Sequence, residues 1–178
     1  MRILILNGSP HKHGNTAFLT NKLTEKLPGE IYRVDCYEGI SPCLDCGACK
    51  YGECVFDDKL SYAVKNIESF DLIVVATPLH YNQPSAPLLG ALSRFQIMYH
   101  KNKKTRSVPC VVIITGGGNF VINSADAEKT LRIALRGING TISAYIRSLS
   151  TDTIPAHKDE AAIRQTETVA KMIKEKRL

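Results

Sequence analysis

The sequence predicts an α/β protein, a doubly wound five-stranded parallel sheet with helices on both faces. Three observations predict it. Strand and helix signals alternate along the whole chain. The runs Leu72 to Ala76 and Val111 to Ile114 are almost wholly apolar, as suits strands covered on both sheet faces. The first apolar run breaks at Gly8-Ser9-Pro10 just before a helical pattern, the strand–turn–helix order of a ligand-binding sheet edge.

The elements follow in order. Arg2 to Asn7 is a short apolar run and reads as a buried strand. Thr16 to Leu27 places Leu19, Leu23 and Leu27 on one helical face, and Pro28-Gly29 ends it. Ile31 to Cys36 is the second strand, and residues 38–58 form a long cysteine-rich loop. Asp58 is placed to cap a helix in which Leu60, Ala63, Val64 and Ile67 share a face. Leu72 to Ala76 is the third strand. A turn, Thr77-Pro78-Leu79-His80-Tyr81-Asn82, leads to a helix from Pro87 to Phe95. Val111 to Ile114 is the fourth strand and runs into Thr115-Gly116-Gly117-Gly118-Asn119. A helix then carries Ala127, Leu131, Ala134, Leu135 and Ile138 on one face, Thr141 to Ile146 is the fifth strand, and a helix from Asp159 to Lys176 closes the chain. There is no internal repeat or linker, so residues 1–178 read as a single domain.

Composition narrows the function classes. A hydrophobic fraction of 44% suffices for a core without disulfide staples. No stretch approaches the ~20 apolar residues of a membrane span. Nothing resembles a signal peptide, so the expectation is a cytoplasmic protein with reduced thiols. Charge is uneven: residues 1–89 hold 8 basic and 10 acidic side chains, residues 90–178 hold 15 and 7. The run Lys101 to Arg106 has no interleaved aromatics, which argues against nucleic-acid binding.

Three loops at strand ends carry binding chemistry. In Gly8 to Thr16 the opening amides of a helix, with its dipole, make an anion site. Ser9, Asn15 and Thr16 add side-chain donors, and Gly8 and Gly14 let a phosphate approach. The spacing is neither that of a nucleotide-triphosphatase loop nor that of a dinucleotide fingerprint. Residues 77–82 supply a rigid turn, aromatic surface and amide groups. Gly116, Gly117 and Gly118 supply bare backbone for a planar ring.

Cys43, Cys46, Cys49 and Cys54 fall at C-x2-C-x2-C-x4-C spacing. Four readings stay open: a [4Fe–4S] cluster, tetrahedral zinc, disulfides, or reduced thiols with no metal. Three cysteines at x2 intervals favour a cluster. Cys36 and Cys110 lie at strand ends and read as buried hydrophobes. His13, His100 and His157 have no partner at ligand spacing, Asp57 and Asp58 read as helix caps, and Arg94 reads as one half of a structural ion pair.

With these residues in view, the chain resembles the flavodoxin-like NADPH-dependent FMN reductase superfamily, and within it the iron-sulfur flavoprotein branch. The matching features are the Gly-Ser-Pro…Gly-Asn-Thr loop at 8–16, the cysteines followed by Asp57-Asp58, the Thr77-Pro78 turn and the glycines at 116–118. The resemblance implies strand order 2-1-3-4-5 and FMN, with its phosphate on Ser9, His11, Asn15 and Thr16. It places the isoalloxazine against Pro78, Leu79, His80, Tyr81 and Asn82, with Gly116, Gly117 and Gly118 opposite. It also implies a homodimer or homotetramer, with NAD(P)H or a ferredoxin as electron donor. Three rival readings remain: a cluster-free NAD(P)H-dependent FMN or quinone reductase, a flavodoxin-like carrier, and a zinc-stabilised interaction module.

Overall fold

Side chains alternate along β1 (Arg2–Asn7), so one strand serves two cores: Leu4 and Leu6 face one layer, Ile3 and Ile5 the other. The structure, a computed structural model, describes residues 1–100, 106–118 and 123–178. Lys101 to Thr105 of the basic run, and Asn119 after the glycines, lie outside the described residues.

β1 pairs in parallel with β2 (Glu30–Asp35) and with β3 (Leu72–His80). A two-residue strand, β4 (Gln83–Pro84), folds back antiparallel on the end of β3. β5 (Val108–Thr115) pairs in parallel with β3, and β6 (Gly140–Ser148) with β5. The parallel order 2-1-3-5-6 is therefore the expected topology with β4 inserted into the count.

Two helices, α1 (Asn15–Thr24) and, at the end of the chain, α6 (Glu160–Lys174), bury Leu19, Leu23, Val169 and Ile173 on one face of the sheet. On the other face α2 (Lys59–Lys65), α3 (Ala86–Ser93), α4 (Ile97–His100) and α5 (Ala125–Arg136) bury Leu60, Leu88, Ile97 and Leu131. Both layers therefore cover β1, β3 and β5, which is why those strands read as unbroken apolar runs. Cys36 and Cys110 lie in the core, and burial pushes each thiol up to about 12, so neither supplies a thiolate. No helix among the described residues is long and apolar enough to cross a membrane.

The structure corrects two elements. Thr77 to His80 is strand, not turn, and β3 runs four residues past Ala76. Pro78 is tolerated because its register partner is Thr115, the last residue of β5, where the ladder ends. The reversal falls instead at Tyr81-Asn82, both with positive φ (53° and 59°), as two-residue hairpin loops require. Helix α1 also stops at Thr24. Beyond it Lys26 N–H and Leu27 N–H donate to Leu23 and Thr24, the tightened last turn of a helix facing Pro28.

Candidate functional site

The three loops singled out in the sequence meet at the carboxyl edge of the sheet. Gly8 N–H donates to Ala76 O (2.7 Å), tying the first loop to β3. Ser85 Oγ, just before α3, donates to Gly8 O (2.7 Å). Thr16 and Thr115 share a hydrogen bond between their hydroxyls (2.7 Å), joining the start of α1 to the end of β5. Gly8 has no room for a side chain: a Cβ there would stand 2.5 Å from Ser85 Oγ and 2.8 Å from Leu88 Cβ.

The mouth of α1 is open to an anion. Helices α2 and α6 are capped by the carboxylates of Asp58 and Asp159, whereas α1, with Gly14 as its N-cap residue, has no side-chain cap among the described residues and no acid in its first turn. Among the described residues its opening amides and dipole thus lack a negative partner. Ser9 is buried, with its N–H donating to Asn7 Oδ1 (3.2 Å) and its Oγ accepting from His11 N–H (3.4 Å). Asn15 is oriented from afar: its Oδ1 accepts from Ala156 N–H (2.9 Å), which leaves Nδ2 as its side-chain donor. His11 and His13 are exposed beside this mouth, and His157 stands edge-on to Phe18.

On the β3–β4 hairpin, Pro78, Leu79 and Asn82 are half-buried, and His80 and Tyr81 are exposed. Tyr81 is wholly solvent-facing at a hairpin tip in a backbone region that costs an aromatic residue about 1–3 kcal/mol. The hairpin is pinned, since Asn82 Oδ1 accepts from Asn123 N–H and Gln83 Oε1 from Thr130 Oγ1. Gly116 O accepts from Thr151 N–H and Thr151 Oγ1, and a Cβ on Gly117 or Gly118 would run into Asp152 or Ser150. This fourth loop, 149–152 after β6, was missed in the sequence. The rule that ligands sit outside carboxyl strand ends would have pointed to it.

The four cysteines line one cleft, walled by Leu44, Val55, Phe56 and Ile97, with Arg94 and His100 at its side. The loop winds inward because Gly47 and Gly52, at φ 74° and 108°, flank the helical turn that holds Cys49. Cys43 N–H donates to Ser93 Oγ at the end of α3 (3.0 Å), and Cys43 Sγ accepts from Asp45 N–H (3.4 Å). All six cysteines are free, and among the described residues no three His, Cys, Asp or Glu side chains are grouped to hold a metal ion.

Beneath the cleft, Arg94 is the largest fully buried side chain. Its Nη1 donates to Asp58 Oδ2 (2.7 Å) and Ser41 O (3.2 Å), its Nη2 to Ser61 Oγ (3.0 Å) and Asp58 Oδ1 (3.4 Å). Phe56 lies over the guanidinium, 4.3 Å from carbon to ring centre. Asp58 also caps α2 through a capping box with Ser61. The expected ion pair of Arg94 is therefore present, but it belongs to the cysteine loop. Asp57 is exposed and caps nothing among the described residues.

Sheet order, layers and clustered loops define a flavodoxin-like α/β protein. The chain belongs to the NADPH-dependent FMN reductase family, a family of oxidoreductases, whose model matches residues 1–147. It is similar to an iron-sulfur flavoprotein of Methanocaldococcus jannaschii, 25% identical over 53% of this chain and 51% of that protein. A second iron-sulfur flavoprotein, from Archaeoglobus fulgidus, is 25% identical over 66% of this chain and 56% of that one. The chain thus matches about half the length of these curated relatives. An NADPH azoreductase of a Bacillus species is 25% identical over 78% of this chain and 70% of its own. Among solved structures, an FMN-dependent NADH-azoreductase of Bacillus anthracis in complex with FMN superposes with TM-score 0.71 at 16% identity, covering 97% of this chain and 98% of that one. The shared fold is the conclusion this carries.

Gly8→Ala probes the joint between the loops. The added methyl must displace Ser85 or Leu88, so thermal unfolding of the flavin-free protein should show a loss of about 1–3 kcal/mol. Wild-type stability in this variant would mean that the approach of α3 to the first loop is not tight.

Proposed function

We propose that the chain binds FMN at this sheet edge and acts as a flavin-dependent oxidoreductase, with the cysteine loop holding a [4Fe–4S] cluster. The observation that carries the reading is the uncapped mouth of α1, with the ends of β1, β3 and β5 tied around it. FMN, when bound, supplies hydride and single-electron chemistry, and the protein supplies position and electrostatics. In this reading Ser9, His11, Gly14, Asn15 and Thr16 hold the phosphate. Asn15 offers Nδ2, and Thr16 has its own proton to offer when Thr115 donates within their pair. Pro78, Leu79, His80, Tyr81 and Asn82 take one side of the ring, and Gly116, Gly117 and Gly118 the other. NAD(P)H or a ferredoxin delivers electrons, and a homodimer or homotetramer covers the exposed Tyr81.

For the cluster, four soft thiols facing one mostly apolar cleft are the fitting donor set. A single zinc needs all four sulfurs about 2.3 Å from one point, whereas a cluster spreads its attachments over four irons. The four thiols line one cleft. The two sites are also mechanically linked. Ser85 at the start of α3 holds Gly8, and Ser93 at its end holds Cys43. Eight residues of helix separate those serines by about 12 Å.

The second reading is a cluster-free NAD(P)H-dependent FMN or quinone reductase. It draws on the NADPH azoreductase, which this chain covers over a greater share of its length than it does the iron-sulfur flavoproteins.

One anaerobic preparation tests both readings, through its visible spectrum and quantified iron, sulfide and flavin. Brown protein with iron, sulfide and FMN supports the first. Yellow, iron-free protein that oxidises NADPH supports the second. Flavin reduced by ferredoxin and never by NAD(P)H leaves a carrier. Cys46→Ser should lose its iron yet keep its full FMN content. Equal loss of both from a folded variant would contradict two separable sites.

A further inference from the structure

Four of the five N–H bonds of the Arg94 guanidinium have partners, and among the described residues the fifth has none. Nη1 and Nη2 serve Asp58, Ser41 and Ser61. Nε is buried with no hydrogen-bond partner among the described residues, in a side chain with 0% exposure. Leaving a charged donor unmet in the interior is costly, so a buried orphan of this kind calls for an explanation: strain, a redox or catalytic role, or a bound ion or water. Arg94 lines the cleft that the four cysteines face. Of the other walls, Leu44, Val55 and Ile97 carry no side-chain acceptor, Phe56 is spent over the face of the guanidinium, and Asp45, Gln96 and His100 are exposed residues. The half-buried side-chain acceptors in the cleft's lining are the sulfurs of Cys43, Cys49 and Cys54.

We propose that Arg94, through its Nε–H, donates a hydrogen bond to a sulfur of the cluster or of its cysteine ligands, and so sets the cluster's reduction potential. This rests on the cluster reading above. Arg94 is a positioning residue in this role and touches no substrate. Its charge is largely balanced by Asp58, so the effect comes from the directed N–H rather than from net charge. A donor aimed at sulfur stabilises the more negative, reduced state, and hydrogen bonds to the sulfurs are among the factors that set cluster potentials. The network also explains why the donor is rigid. Asp58 is held by α2, Ser41 by the loop itself, and Phe56 clamps the plane from above. The guanidinium therefore cannot swing away when the cluster gains or loses an electron.

The test is a redox titration of the anaerobically reconstituted full chain, followed by visible absorbance and electron paramagnetic resonance, with iron and flavin counted on each sample. Arg94→Lys keeps the charge near Asp58 and removes Nε–H. Its cluster should be harder to reduce by about tenfold, about 59 mV for one electron. Ser61→Ala removes a partner of Nη2 but leaves Nε in place, and should titrate like the wild type. An unshifted potential in iron-replete Arg94→Lys, or an equal shift in Ser61→Ala, overturns the proposal. Wild-type protein labelled with 15N-arginine covers the case in which Arg94→Lys loses iron or fails to fold. Its reduced cluster should show a hyperfine coupling to arginine nitrogen in pulsed resonance. An iron-loaded wild type without that coupling sinks the role of Arg94 alone. A wild type that takes up no iron sinks the cluster reading itself.

Discussion

Arg94→Ala should cost the flavin-free protein about 3–5 kcal/mol in denaturant unfolding at neutral pH, because the variant strands a carboxylate that its partner had neutralised. The lost contacts span three segments: the Ser41 carbonyl, the Phe56 ring and the Asp58 carboxylate. The variant should therefore also loosen the cysteine loop, seen as faster amide exchange over residues 41–58. Replacing both partners, Arg94→Met with Asp58→Asn, should recover much of the loss, since no charge is left alone and Asn still caps α2. If the double variant is as unstable as Arg94→Ala, packing and not charge is the cause.

The same pair makes a prediction in acid. Burial alone would raise the Asp58 carboxyl, but the hydrogen bond and charge of Arg94, together with Ser61, outweigh it and hold the group below its ordinary 3.8. A depressed carboxyl contributes stability that is complete above the unfolded value and lost as pH falls through the folded one. The stability gap between wild type and Arg94→Ala should therefore be widest at neutral pH and narrow below pH 3.8. A gap that stays constant down to pH 2 would show that Asp58 does not titrate with the pair.

Particular residues show why some of this was legible in the sequence and some was not. The strands were readable because β1, β3 and β5 are buried on both faces, and short unbroken apolar runs between turn residues suit little but a doubly covered strand. The end of β3 was not. Thr77, Pro78, Leu79 and His80 contain a breaker and a polar end, and only pairing with β4 and β5 makes them strand. The segments at 8–16, 77–82 and 116–118 could be placed at one edge because topology sends strand ends there. Their fastenings were invisible: Asn15 meets Ala156 across 141 positions, and Thr16 meets Thr115 across 99. The cysteines announce themselves by spacing, but Arg94 does not. Its partners lie 36 and 53 positions away, and no local pattern signals a guanidinium folded under a loop.

Asn15→Asp should separate folding from flavin binding, because the two effects have opposite signs. The carboxylate is close in shape to the amide and can keep accepting from Ala156 N–H, so the orientation of residue 15 survives. Placed in the first turn of α1, which holds no acid, a negative charge complements the dipole. The flavin-free variant should be as stable as the wild type or firmer by about 0.3–1 kcal/mol. A phosphate at the same mouth meets the reverse. It loses the Nδ2 donor, a charged hydrogen bond of about 1.5–3 kcal/mol, and gains a like charge at close range. At about 1.4 kcal/mol per tenfold, FMN affinity should fall at least about 100-fold, while riboflavin, which has no phosphate, binds the two proteins alike. Flavin fluorescence titrations of both proteins with FMN and with riboflavin read this directly. Equal loss for the two flavins would move the phosphate elsewhere, and an unchanged FMN affinity would remove it from the helix mouth altogether.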